Sequence, residues 1–103
     1  MDRRVRWTPL AVGDLEDIAD YIAKASPRYS AAVVRKIVAE ARSLKRFSMR
    51  GRIVPDLDDT SIRELILYSY RLIYRVSDRD VHILGIVHGA RDFLSWWNSE
   101  SRE

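Results

Sequence analysis

The sequence has no cysteine. That excludes a disulfide framework and any cysteine-based zinc site. Histidine is scarce as well, with only His82 and His88 present, so a His-rich metal site is not expected. No run approaches the roughly 18 consecutive apolar residues of a membrane-spanning helix. The first ten residues, MDRRVRWTPL, lack the apolar core of a signal peptide. A cytoplasmic protein with no membrane association, no metal and no cofactor is therefore expected. Lysine is sparse too: fifteen of the 18 basic residues are arginine. Arginine suits bidentate contacts to phosphate or carboxylate and stacking on flat groups. With a pI near 9.5, this bias fits nucleic acid or an acidic protein partner. Genome composition and an ordinary solvated surface account for it equally well.

What is present is enough for a core. The chain has 103 residues, 47% of them hydrophobic, and residues 1–103 are expected to form a single domain. The organising stretch runs from residue 62 to residue 91. It holds three apolar segments, 62–68, 70–76 and 81–88, separated by Ser69 and by the polar residues 77–80. Each is rich in Ile, Val, Leu and Tyr, which suits strands. The short polar breaks predict antiparallel neighbours joined by hairpins. In the second segment Tyr70, Leu72, Tyr74 and Val76 share one face, and Arg71, Ile73 and Arg75 share the other. One face then packs on a core, while the other carries two guanidinium groups. The third segment is almost continuously apolar, as in a strand covered on both faces, so it belongs in mid-sheet. A polar cluster, His88, Gly89, Ala90, Arg91 and Asp92, follows it.

Upstream, residues 3–7 alternate weakly and read as an edge strand. Thr8 and Pro9 start a helix over residues 9–24, with Ala11, Leu15, Ile18 and Ile22 on one face and Asp14, Glu16, Asp17 and Asp20 on others. Ser26 and Pro27 start a second helix that ends near Arg46. Its stripe is Tyr29, Val33, Ile37, Ala41 and Leu44. The two helices make an antiparallel hairpin whose apolar stripes must cover the sheet. Residues 42–52 hold five cations and no acid. Part of this complements the helix C-terminus, and the rest is a candidate polyanion patch. Residues 53–54 form a strand stub, and residues 56–60 an acidic turn. Residues 92–98 predict one or two helical turns, and residues 99–103 a frayed end. Trp96 and Trp97 are adjacent, so one is expected in the core and the other is open to a partner. The fold class is α+β: an N-terminal strand, a two-helix hairpin on a sheet of three to five mainly antiparallel strands, and a short C-terminal helix.

These pieces together resemble the RelE/ParE toxin superfamily. The likeness rests on Trp7 to Ala11, Asp14 to Ile18, Tyr21 and Ile22, Gly51 to Pro55, Arg63 to Leu65, Tyr70 to Val76, Ile83 and Leu84, and His88 to Asp92. It covers nearly the whole chain, and the Tyr70 to Val76 strand followed by the His88 to Asp92 cluster is its most specific part. The resemblance implies the toxin half of a bacterial type II toxin–antitoxin module, of the kind that inhibits growth and stabilises plasmids. It implies a cognate antitoxin, of ribbon-helix-helix type, that alone binds operator DNA. One branch of the superfamily resembles RelE and cuts mRNA on the ribosome. The other resembles ParE and poisons DNA gyrase without cleavage chemistry.

The residues lean toward the ParE-like branch. Cutting RNA without a metal needs activation of the 2′-hydroxyl, stabilisation of the phosphorane and protonation of the 5′-oxygen. Arg71 and Arg91 match arginines of the RNase-like branch, and His88 is a possible acid or base. The basic residues of the preceding strand are largely replaced, with Arg63 followed by Glu64 and apolar residues. The C-terminal Tyr of that branch is absent, with Trp96 and Trp97 in its region. No confident catalytic set results. If the chain is a ribonuclease, Arg71, His88 and Arg91 are its candidates. Arg63, Arg71, Arg75, Arg91, Trp96 and Trp97 are expected to bind partners: the antitoxin, and gyrase or, alternatively, the ribosome with mRNA. A third alternative is a non-toxic member that only binds an antitoxin.

Overall fold

The computed structural model describes residues 2–102. The chain runs β1 (Arg4–Trp7), α1 (Pro9–Ala23), α2 (Pro27–Ser43), β2 (Arg52–Ile53), β3 (Ile62–Leu67), β4 (Tyr70–Val76), β5 (Asp80–His88) and α3 (Phe93–Ser99). The five strands form one sheet in the order β1-β5-β4-β3-β2. Only the β1–β5 pair is parallel. This is the α+β arrangement expected from the sequence, with β5 between two neighbours.

Both helix starts follow from their caps. The Thr8 hydroxyl accepts the Ala11 N–H at 3.2 Å, and Pro9 needs no hydrogen bond at the first helical position. The same hydroxyl donates to the Ile83 carbonyl at 3.0 Å, which fastens α1 to β5. Ser26 caps α2 through the Tyr29 N–H at 3.1 Å. Inside the hairpin, the Ser30 hydroxyl donates to the Ala19 carbonyl at 2.6 Å.

The sheet separates two apolar clusters. On one face Val33, Ile37 and Ala41 of α2, its C-cap Leu44 and Ala11 of α1 pack on Leu65, Leu72, Tyr74, Val81 and Ile83. Tyr29, placed by its spacing on the α2 stripe, is 53% exposed. It lies in the first turn of α2, and the buried apolar residues begin at Val33, one turn later. On the other face Phe93, Trp96 and Trp97 of α3 cover Ile62, Ile73, Leu84 and Val87. The Arg71–Ile73–Arg75 face of β4 is therefore packed, not a solvated surface.

Three further expectations are corrected. Trp96 and Trp97 are both buried, at 2% and 8% exposure. Positions 93, 96 and 97 stand three and four apart, so a wide apolar stripe takes in both indoles. The chain end is not frayed at Arg102, which is buried. Its guanidinium donates to Asp14 Oδ2 at 2.8 Å and to the Leu84 carbonyl at 3.2 Å, and lies 4.0 Å from the centre of the Trp96 ring. Asp14 is turned toward the sheet accordingly, and also accepts the Ile86 N–H at 3.0 Å.

A β-bulge makes room for this arrangement. Gly85 faces Ile73 and Ile83 faces Tyr74, which leaves Leu84 with no residue opposite. A Cβ on Gly85 would stand 2.4 Å from an Arg102 nitrogen and 2.6 Å from the Trp96 ring. Only glycine lets the indole and guanidinium lie this close to the strand.

Candidate functional site

The polar groups gather where β4 begins and β5 ends. Tyr68 and Ser69 form the two-residue turn between β3 and β4. Tyr68 has φ of 56°, a left-handed value that is costly for a large side chain. The Gly89 N–H donates to the Ser69 carbonyl at 2.7 Å, locking this turn to the segment after β5. Tyr70 meets the His88 ring edge-on, with centroids 5.5 Å apart. Burial raises the Tyr70 pKa above the ordinary tyrosine value.

Arg71 is anchored by carboxylates. Its Nε donates to Glu64 Oε1 at 2.6 Å, and Nη2 donates to Asp56 Oδ1 at 2.6 Å. Its guanidinium also stacks 4.3 Å from the centre of the Phe93 ring. Burial opposes its charge, but the bonds to Asp56 and Glu64 outweigh burial and hold its pKa above the ordinary arginine value. Glu64, 1% exposed, also accepts from Arg52 Nε at 2.5 Å. Alternation along β3 aims Glu64 at the α3 side of the sheet, beneath the chain that carries Asp56.

The other candidates are dispersed. Arg63, one residue from Glu64, points to the opposite face and donates to the Gly51 carbonyl at 2.7 Å. Beside it the Tyr74 hydroxyl donates to the Ser48 carbonyl and accepts the Gly51 N–H, both at 2.9 Å. Arg63 thus braces the 48–51 loop. Arg75 lies 3.8 Å from Asp59. Trp96 and Trp97 are core residues. Arg91 is exposed, and among the described residues its side chain has no hydrogen-bond or ion-pair partner.

Two clefts flank the Tyr70–His88 pair. One, of about 580 Å³, is lined by Arg52, Asp56, Tyr68, Arg71 and His88. The other, of about 420 Å³, is lined by Asp17, Tyr21, His88 and Arg91. His88 reaches both, but Arg71 and Arg91 line different clefts. His88 Nδ1 accepts the Ala90 N–H at 3.1 Å. In the neutral ring the proton then sits on Nε2, which can donate but has no lone pair to accept. The clefts can hold an anion or a flat group. Among the described residues, no cluster of three His, Cys, Asp or Glu residues fits a metal ion. No helix among them is long and apolar enough to cross a membrane.

The sequence reading missed Asp56 and Glu64 as the partners of Arg71, and Asp14 as the partner of Arg102. Glu64 did leave a trace, as a lone acid within a strand of apolar residues. Asp14 and Arg102 left none, being 88 residues apart.

This order of elements, with one five-stranded sheet between a helical hairpin and a short C-terminal helix, is that of the RelE/ParE superfamily of toxins. Residues 5–93 match the family described as the ParE toxin of the type II toxin–antitoxin system parDE, and the chain belongs to that family. It is 36% identical over 89 residues to Toxin RelE2 of Caulobacter vibrioides, covering 85% of this chain and 97% of that protein. It is 39% identical over 88 residues to Putative toxin Y4kP of Sinorhizobium fredii, covering 84% and 88%. Among solved structures it resembles a chain of the chromosomal ParDE system from P. aeruginosa, with a TM-score of 0.70 and 26% identity over 84% of this chain and 95% of that one. It also resembles a chain of the RelBE2 toxin–antitoxin complex from Mycobacterium tuberculosis, with a TM-score of 0.62 and 28% identity over 85% and 99%.

Proposed function

We propose that residues 1–103 act as one toxin domain that works by binding, with DNA gyrase as target and a cognate antitoxin as inhibitor. The observation that carries this reading is the state of Arg71. A metal-free ribonuclease needs a cation free to take up the charge of the phosphorane, and each missing acid or charge-stabilising group costs about 10²–10⁴ in rate. Here Arg71 is held by Glu64 and Asp56. Arg91 lines the other cleft, and the His88 lone pair is already engaged. A binding protein needs none of these groups to be free.

The antitoxin is of ribbon-helix-helix type and carries the operator contacts. Arg75 and Arg91 serve the charged part of its interface, and the protein works in the cytoplasm. The neighbouring folds come from toxin–antitoxin complexes, which supports such a partner.

Induced expression in a bacterial host, followed at early times, tests the target. The expected result is filamentation, a DNA-damage response and continued protein synthesis, with purified protein blocking gyrase-driven supercoiling. Prompt translation arrest with cleaved messages, abolished by Arg91→Ala, would overturn it in favour of mRNA cleavage. Growth without any effect would leave a protein that only binds an antitoxin.

A further inference from the structure

The cations at the end of α2 are joined in space by a second set from the start of the chain. A groove of about 640 Å³ is lined by Arg3, Arg4 and Arg6 on the β1 side and by Arg42 and Lys45 on the α2 side. No acid lines it. The Arg3 N–H donates to the Lys45 carbonyl at 2.9 Å. That bond ties the start of β1 to the end of α2 and holds both sets of cations in one frame. The Arg3 side chain is fixed as well, donating to the Ser77 carbonyl and the Ser48 hydroxyl at 2.7 Å each.

Most of the remaining charge is open to a ligand. Asp80, which does not line the groove, gives one carboxylate oxygen to both Arg4 and Arg6, at 3.1 and 3.2 Å. A guanidinium has five N–H donors, and these two side chains are 67% and 51% exposed. Arg42 and Lys45 are exposed, and their side chains have no hydrogen-bond or ion-pair partner among the described residues. Arg46 follows, also exposed, with its guanidinium 5.9 Å from the centre of the Phe47 ring.

Local causes explain each set but not their meeting. Cations near a helix C-terminus complement its dipole, which serves for Arg42 and Lys45. Charge on an edge strand discourages stray pairing, which serves for Arg4 and Arg6. Five cations on one groove repel one another in the free protein, and a bound polyanion relieves that repulsion. The lining narrows the kind of polyanion. Proteins that hold single strands stack the bases on open aromatic rings. Trp7 is the one aromatic residue in the lining, and it is half-buried against the helical core. What the groove offers is guanidinium and ammonium donors, which contact phosphates and read no bases. These donors stand on a strand and at a helix end, at set positions, as the regular phosphates of a double helix require.

We propose that β1 and the end of α2 form a surface that binds double-stranded nucleic acid through its phosphates, without regard to sequence. A link to gyrase, which acts on duplex DNA, rests on the function proposed above; the binding itself does not.

The probe is a fluorescein-labelled DNA duplex of about 20 base pairs, titrated with the purified full chain by fluorescence anisotropy over a salt series. The expected Kd is about 10⁻⁴–10⁻⁶ M at physiological salt. About three to five neutralised phosphates give a slope of about −2.7 to −4.5 in log K against log salt. The double variant Arg42→Gln, Lys45→Gln should lose at least about tenfold in affinity and make the slope shallower by about 2, with an unchanged circular dichroism spectrum. Lys24→Gln, Arg28→Gln removes the same charge from exposed positions at the opposite end of α2, and should leave affinity and slope close to those of the parent. Equal losses in the two double variants would overturn the proposal, because net charge alone would then be at work. So would absence of binding, or tighter binding of oligo-dT or of polyglutamate of equal charge. A duplex RNA of the same length separates the sources: equal binding supports contact through the shared backbone, and a preference names the duplex the surface takes. Gyrase inhibition is scored separately. Inhibition without duplex binding removes this surface and spares the gyrase reading; duplex binding without inhibition does the reverse.

Discussion

Replacing Arg71 with Met should unfold the protein far more readily than loss of a surface cation would. The Glu64 side chain is fully buried and that of Arg71 is 12% exposed, with 2.6 Å between their bonded atoms. Removing one partner of a buried ion pair strands the other charge, at a cost of about 3–5 kcal/mol. Arg52 still reaches Glu64, but its side chain is 64% exposed, so its screened contact offsets only part. About 3 kcal/mol is the expected loss, a large share of the 5–15 kcal/mol typical of a small domain. With a urea m-value of about 1–3 kcal/mol per molar, the unfolding midpoint should fall by about 1–3 M. Tryptophan emission reads this directly, because Trp96 and Trp97 lie in the cluster above Ile73. Adding Glu64→Leu to Arg71→Met removes the stranded carboxylate and should restore most of the loss, since apolar replacement of a buried pair is often neutral. A midpoint unmoved by Arg71→Met would refute this account. So would a double variant no more stable than the single one. The outcome also bears on function. Charge reversal at Arg71 would place an acid beside Glu64 and Asp56, so lost activity there would report on folding. Arg91 is the cleaner position.

Gly85→Ala should displace the Trp96 ring and Arg102, lowering stability by about 1–3 kcal/mol and red-shifting tryptophan emission; an unshifted spectrum at full stability would contradict the close approach described above. Thermal melts should show acid lability. Hydrogen bonds from Lys36 and then Arg50 hold the Glu40 pKa below its ordinary value, and bonds from the Ser61 hydroxyl and N–H do the same for Asp59. Their contribution is present above the ordinary carboxylate range, near about 4, and is lost as pH falls through the lower folded-state values. Glu40→Gln should flatten that decline, and an identical pH profile would remove Glu40 from it. Gly51→Ala should loosen the 48–51 loop, because its Cβ would stand 2.5 Å from the Glu64 carbonyl and the Tyr74 hydroxyl; faster amide exchange around Gly51 is the readout.

Local signals in the sequence carried most of the fold. The Thr8–Pro9 and Ser26–Pro27 starts place both helices, because cap and first-turn chemistry is decided within four residues. Strand β4 falls on residues 70–76, as alternation implies, and the apolar run after it is the mid-sheet strand β5. What sequence reasoning missed depends on contacts between distant positions. Asp14 looked like one acid among several on α1, yet it closes a pair with Arg102. The bulge at Leu84 has no local marker except Gly85. Trp96 and Trp97 were divided between core and surface by a rule about opposite helix faces, and that rule fails when a sheet covers a wide stripe. The site was legible as a list of residues but not as a geometry. Nothing in the order of residues reveals that Arg71 has carboxylate partners or that Arg71 and Arg91 line different clefts.

The excess of arginine over lysine has a structural cause at three positions. Arg71 holds two carboxylates and an aromatic face at once. Arg102 holds a carboxylate, a carbonyl and an indole. Arg63 reaches the Gly51 carbonyl across the end of the sheet. A planar fork serves several acceptors in fixed directions and stacks on a ring, whereas an ammonium is a compact point charge. Lysine at 71 or 102 would keep the charge and lose the geometry. These three arginines say nothing about a polyanionic partner, although they contribute to the high pI. Among the cations without a side-chain partner among the described residues, Arg91 lies beside the Tyr70–His88 pair, and Arg42 and Lys45 lie beside β1. They lie in separate clefts of the molecule. Substitutions at Arg91, proposed above for the antitoxin interface, and at Arg42 should therefore act on separate surfaces.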